Sequence, residues 1–130
     1  DNDCRRSAAE FYQGALSELD GNLQRPVERE NAHSVYHLYV VHVADREALL
    51  SRLGHRGVNC AIHYPIPCHL QEACQHLGYR EGQFPNAEFN AAHCLSLPMF
   101  PTITRSQLEF VAETVIDEVK SEPALVQSAA

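Results

Sequence analysis

The chain has 130 residues, of which 45% are hydrophobic, 21% charged and 8% aromatic, so it is one domain's worth of an ordinary globular protein and can bury roughly two-thirds of its unfolded surface. A net charge of -7, with the basic residues scattered singly except for Arg5 and Arg6, lacks the electrostatic footprint of a nucleic-acid binder. No apolar run approaches the ~20 residues of a membrane span and no leader-like segment opens the chain, so a cytoplasmic chain without a membrane partner is expected.

From Arg5 to Leu19, Ala8, Ala9, Tyr12, Leu16 and Leu19 recur at spacings of three and four, which predicts an amphipathic helix stopped by Asp20-Gly21-Asn22. Leu23 to Ala32 is polar, holds Pro26 and reads as a connecting loop. Val35 to Val43 is rich in β-branched and aromatic residues and apolar on both alternating faces, the pattern of a central strand. His37 would then share a face with Val35, Tyr39 and Val41 as a half-buried, hydrogen-bonded histidine.

Asp45 is placed to cap a following helix whose buried stripe is Leu49, Leu50 and Leu53, with Gly54 and Gly57 as stops. Val58 to Ile62 predicts a short buried strand. Leu70, Ala73, Cys74 and Leu77 mark a short helix ended by Gly78, and Tyr79 to Phe84 a turn. Pro85 suits a first helical position for a helix running to about Cys94, before a brief strand at Leu95-Ser96-Leu97.

Thr104 and Gln107 stand at capping-box spacing ahead of a last helix, whose apolar stripe is Leu108, Val111, Val115 and Val119. Glu109, Glu113, Asp117 and Glu118 read as its solvated face, offset only by Lys120, and a frayed tail follows Ser121. The order of elements calls for a two-layer α/β sandwich, a small sheet of about three strands with helices packed on it.

The chemistry concentrates between Gly57 and His69. A strand there runs into a loop stiffened by Pro65 and Pro67, which carries His63, Tyr64, Cys68 and His69 at a strand end. The five cysteines at 4, 60, 68, 74 and 94 are an odd number without framework spacing, which fits reduced thiols, most of them buried as small apolar side chains.

Cys60 and His63 have C-x-x-H spacing, but the two tight pairs of a structural zinc site are missing and no metal ligand is assigned. A Cys68–His69 or Cys68–His63 nucleophilic pair lacks a third group to orient the base. The simpler expectation is that Cys68 packs and His69 caps the next helix. No phosphate-binding glycine loop is present, and Lys120, the sole lysine, sits in the last turn of an acidic helix, a poor place for Schiff-base chemistry.

Taken together, several motifs resemble the C-terminal small domain of the DegT/DnrJ/EryC1/StrS family of pyridoxal-phosphate-dependent sugar aminotransferases. They are Val-Tyr-His-Leu-Tyr-Val-Val (35–41), Ile-His-Tyr-Pro-Ile-Pro (62–67) with His69, Leu-Gly-Tyr (77–79), Phe-Pro-Asn-Ala-Glu (84–88) and Leu-Ser-Leu-Pro-Met-Phe-Pro (95–101). Arg-Arg-Ser-Ala-Ala-Glu-Phe-Tyr (5–12) is similar to the helix that leads out of the family's large domain. Cys60 and Ile103 are departures, standing where threonine and leucine are usual.

The resemblance implies a small domain of the fold-type I pyridoxal-phosphate enzymes: residues 1–22 as the helix from a missing large domain, 23–121 as the small domain and 122–130 as a tail. It implies no catalytic, cofactor-binding or metal-binding residue in this chain, since the lysine that holds pyridoxal phosphate lies in the large domain. His63 and Tyr64, and then Tyr36 and His37, become candidates for holding a nucleotide-linked keto-sugar in a homo-oligomer. Alone, the chain would be inactive and would expose apolar surface prone to self-association. A freestanding binding or dimerisation module of the same ancestry, or part of a sugar dehydratase, are the alternatives.

Overall fold

The computed structural model describes residues 1–120 and 124–125. Four helices, α1 (Asn2–Ala15), α2 (Arg46–His55), α3 (Pro85–His93) and α4 (Arg105–Val119), pack on an antiparallel sheet of three strands. The strands are β1 (Leu23–Gln24), β2 (Tyr39–Val43) and β3 (Cys94–Leu97), in the order β1-β2-β3. This is the expected two-layer arrangement, with β2 central as its apolar pattern requires.

Alternation along β2 divides the molecule. Tyr39, Val41 and Val43 are buried in the main core with Tyr12, Leu16, Leu49, Leu53 and Val115, so that face is covered by α1, α2 and α4. Val40 and His42 point the other way, toward α3 and the proline loop, as period-two side chains must. All four residues of β3 are buried, so it is covered on both sides.

The caps predicted at Asp45 and Thr104 hold. Asp45 Oδ1 accepts from the Ala48 amide at 3.0 Å, and Thr104 and Gln107 close a reciprocal capping box at 3.2 and 2.9 Å. Leu49 and Leu53 are fully buried on α2, whereas Leu50 is only partly covered. The stripe Leu108, Val111, Val115 and Val119 is buried as its spacing demands. Gly78 stops its segment at φ 72°, a left-handed position that glycine takes without a Cβ clash.

The departures have identifiable causes. The first helix starts earlier than expected and breaks after Ala15, continuing as a single 3-10 turn at Ser17–Leu19. Leu23–Gln24, read as loop, pairs with the free edge of β2. Val35–Leu38 is not strand: Tyr36 turns to φ 43°, and the Arg5 guanidinium donates to the carbonyls of His37 at 3.0 Å and Met99 at 3.2 Å. His37 is therefore exposed outside the strand, not half-buried on its face.

The predicted strand at Val58–Ile62 shrinks to one bridge, with Ala61 and Ser96 exchanging backbone hydrogen bonds at 3.2 and 2.8 Å. Continuing that register would set Asn59 against Pro98, which has no N–H to extend the ladder. Leu70 to Leu77 forms two 3-10 segments, Cys68–Leu70 and Glu72–Leu77, rather than an α-helix. The tail beyond Ser121 lies outside the described residues apart from Ala124 and Leu125, whose amide bonds Gly21 O at 2.9 Å.

The acidic face of α4 is not simply solvated. Arg52 reaches Glu118 at 3.1 Å and Arg56 reaches Asp117 and Glu118 at 3.2 Å, so α2 supplies counter-charges that spacing on α4 alone does not reveal. Lys120 faces Glu18 at 3.7 Å. Such ion pairs at a surface contribute less than ~1 kcal/mol each, whereas truncating a fully buried leucine costs about 2–5 kcal/mol. Urea denaturation is therefore expected to show Leu53→Ala losing about 2–5 kcal/mol and Arg56→Ala losing far less, an effect that shrinks further in high salt.

Candidate functional site

His63 and Tyr64 do meet at a groove. It is a recess of about 420 Å³ between the proline loop, α3 and the outer face of the sheet, lined by Val40, His42, His63, Tyr64, Asn90 and Cys94 among others. Tyr64 stands 70% exposed at its mouth, where its ring and hydroxyl are open to a ligand. Its ring meets His63 edge-on at a centroid distance of 5.5 Å, and the peptide between the two residues is cis.

The His63 imidazole is held from behind by Ser96, whose Oγ lies 2.9 Å from Nδ1. Ser96 is 4% exposed on β3. In sequence it was only a serine between two leucines; a polar residue at an alternating position of an otherwise apolar strand was the one available sign that this face bore a polar site. His42, on the neighbouring β2, has its pKa lowered by burial, with Asn90 opposing the shift and His93 adding to it.

Tyr36 and His37 are elsewhere. The Tyr36 ring stacks on Tyr39 at 6.2 Å, a core-facing residue of β2, and borders a different recess with Arg6, Glu10 and Glu28. Of the four candidate residues, His63 and Tyr64 line the outer-face groove, Tyr36 packs on the core-facing Tyr39, and His37 is exposed and lines neither recess. The sequence did not separate them because it placed residues 35 to 38 inside the strand.

His69 does not cap a helix. Its Nε2 lies 2.9 Å from Glu88 Oε1, and the same carboxylate accepts from the Gly82 amide at 2.8 Å and the Phe84 amide at 3.2 Å. Glu88 therefore ties the turn before α3 to the far end of the proline loop, and α3 forms one wall of the groove. The Gly82 amide above all, then the Phe84 amide and His69, hold its carboxyl below the usual range, against a smaller opposing effect of burial.

The cysteines are free thiols; Cys94 is fully buried, and Cys60 and Cys74 are half-buried, Cys60 against the core. Cys4 and Cys68 are exposed, so the expectation that most pack inside, Cys68 among them, is corrected. Burial pushes the Cys60 thiol up to about 12, which keeps it protonated and unreactive. Among the described residues no three of His, Cys, Asp and Glu converge as metal ligands.

Lys120 does not suit a covalently held aldehyde cofactor. Its side chain is 59% exposed and paired with Glu18, whereas such a lysine works as a partly desolvated amine beside a cleft. The chain thus carries a half-open, mostly apolar groove behind a proline-stiffened loop, with His42, His63 and Asn90 among its polar lining, on a helix-covered antiparallel sheet.

Comparison with known proteins gives this fold a family. Residues 2–116 match the DegT/DnrJ/EryC1/StrS aminotransferase family, and the chain belongs to it. It is 38% identical over 114 residues to a pleiotropic regulatory protein of Geobacillus stearothermophilus, covering 87% of this chain and 31% of that protein. It is 39% identical over 117 residues to a dTDP-3-amino-3,4,6-trideoxy-alpha-D-glucose transaminase of Streptomyces venezuelae, covering 89% and 30%. Among solved structures, S. venezuelae DesV in complex with a ketimine intermediate superposes with a TM-score of 0.88 at 34% identity, over 94% of this chain and 33% of that one. The chain thus spans about a third of the length of the relatives it matches. Among the described residues no helix is long and apolar enough to cross a membrane.

The depressed carboxyl of Glu88 gives a pH dependence of definite sign. A folded-state pKa below the ordinary glutamate value means that its contribution is complete above that value and is lost as pH falls through the lower folded-state pKa. Stability measured from neutral pH downward is expected to fall less steeply in the acid range for Glu88→Gln than for the native chain. The variant should also be the less stable of the two at neutral pH.

Proposed function

We propose that this chain is the C-terminal small domain of a pyridoxal-phosphate-dependent enzyme that transfers an amino group to a nucleotide-linked keto-sugar. In this reading residues 23–121 form the small domain, residues 1–22 lead into it from a larger domain, and 122–130 are a tail. The larger domain carries the cofactor lysine, and the small domain holds substrate and closes the cleft. The observation that carries the reading is the His63–Tyr64 groove in a chain that matches the family from residue 2 to 116 yet spans only about a third of its relatives.

His63 and Tyr64 act as the substrate contacts. Pro65 and Pro67 fix the loop beforehand, so little conformational freedom is lost when a ligand binds. Tyr36 borders a different recess and His37 is exposed outside the strand, so they take part only through a ligand or domain that reaches beyond the groove. Phe100 and Phe110, 40% and 48% exposed, border a second, largely apolar recess with Val58 and Ile103. Uncovered surface of this kind favours self-association of the isolated chain and a homo-oligomer of the whole enzyme.

A chimera tests the reading: this chain replaces the matching third of the S. venezuelae transaminase, and amino transfer to its nucleotide sugar is assayed. Activity is expected to survive the exchange, and His63→Ala in the chimera should raise KM about tenfold, the loss of one good polar contact. A chimera indifferent to both His63→Ala and Tyr64→Ala would overturn the assignment. The isolated chain mixed with pyridoxal phosphate is expected to show no protein-bound absorbance that Lys120→Ala abolishes.

A further inference from the structure

We infer that Ser96 is a positioning residue that locks His63 in its Nε2–H tautomer, so that the groove presents a hydrogen-bond donor there and selects a ligand oxygen acceptor. The inference about the ligand rests on the substrate-holding role proposed for the groove. The tautomer rests only on the geometry of the chain itself.

The argument is a proton count. Ser96 is 4% exposed, and its backbone N–H and C=O are both used by Ala61, at 2.8 and 3.2 Å. Its hydroxyl carries one proton, and among the described residues the acceptor within reach is His63 Nδ1 at 2.9 Å. The opposite polarity, Nδ1–H donating to Oγ, would leave a buried hydroxyl proton with nowhere to go, which folded proteins avoid. Nδ1 is therefore the bare, accepting nitrogen.

A neutral imidazole with a bare Nδ1 carries its proton on Nε2. Nε2 has no partner among the described residues, and His63 lines the groove. The ring is also fixed in orientation, with Tyr64 packed edge-on against it. The groove thus offers an aimed N–H, complementary to a phosphate, carbonyl or sugar oxygen and mismatched to an amino or amide N–H.

Long-range proton–nitrogen spectra of the 15N-labelled chain, recorded along a pH series up to the point where the His63 signals stop changing, read the tautomer directly. Native His63 is expected to show a protonated Nε2 and a bare Nδ1. Ser96→Ala should yield a mixture of the two tautomers while the Ala61 amide stays protected from exchange, and Ser96→Thr should restore the native pattern. A bare Nε2 in the native chain overturns the inference, and that spectrum needs no variant to fold. So does an unchanged tautomer in a folded Ser96→Ala chain.

With dTDP-glucose as probe, the native Nε2 proton is expected to shift, and Ser96→Ala should weaken binding about threefold to tenfold. An unmoved His63 would remove the ligand half of the inference along with the groove's proposed role, whereas the tautomer is read before any probe is added.

Discussion

The structure depends on the backbone ladder between β2 and β3, because it is the one piece of sheet that must be covered on both faces. Tyr39 pairs with Leu97, Val40 with Ser96, Val41 with Leu95 and His42 with Cys94. Each register step sends one pair into the main core and the next to the outer face. A slip by one residue would turn Ser96 and Cys94 into the core and Leu95 and Leu97 out of it. The burial of Val41 and Leu95 beneath three helices makes that slip prohibitive, and the polarity of the outer face follows from it.

The groove is a consequence of that partition. The outer face carries Val40, His42, Cys94 and Ser96, and no long helix lies over it. It is covered instead by the short α3 and a loop that cannot regularise because of its prolines. Ser96 joins the two by offering its backbone to Ala61 and its hydroxyl to His63. The residue that closes the ladder is thus also hydrogen-bonded to a ring that lines the groove. Glu88 does the corresponding work at the other end, gathering His69 and two amides of the preceding turn.

Membership of an aminotransferase family sits beside a chain whose one lysine is tied up at the surface with Glu18. The two facts are compatible when binding and bond-making are divided between parts of a larger molecule. Catalytic power in such an arrangement comes from positioning as well as from the reactive group, since a well-placed ligand gives up its freedom before the chemical step. A stiff loop with an oriented imidazole suits that task. The regulatory name of one relative and the transaminase name of another attach to proteins three times as long, so neither describes what this third does alone.

What the sequence by itself decided is local: the caps at Asp45 and Thr104, the glycine stop at Gly78, the proline start of α3 and the apolar stripes of α2 and α4. Each of these depends on neighbours within a few residues, so the letters suffice. The family motifs added the position of the His63–Tyr64 loop. Tertiary structure decided everything that rests on partners far along the chain. Arg5 turned Tyr36 and His37 out of the strand, Pro98 limited the pairing of Val58–Ile62, the free edge of β2 drew in Leu23–Gln24, and Arg52 and Arg56 met Asp117 and Glu118 of the acidic face of α4. The Ser96–His63 bond belongs with these. A hydrogen bond between residues 33 apart exists only once the sheet has set their separation and direction, and no spacing rule encodes that.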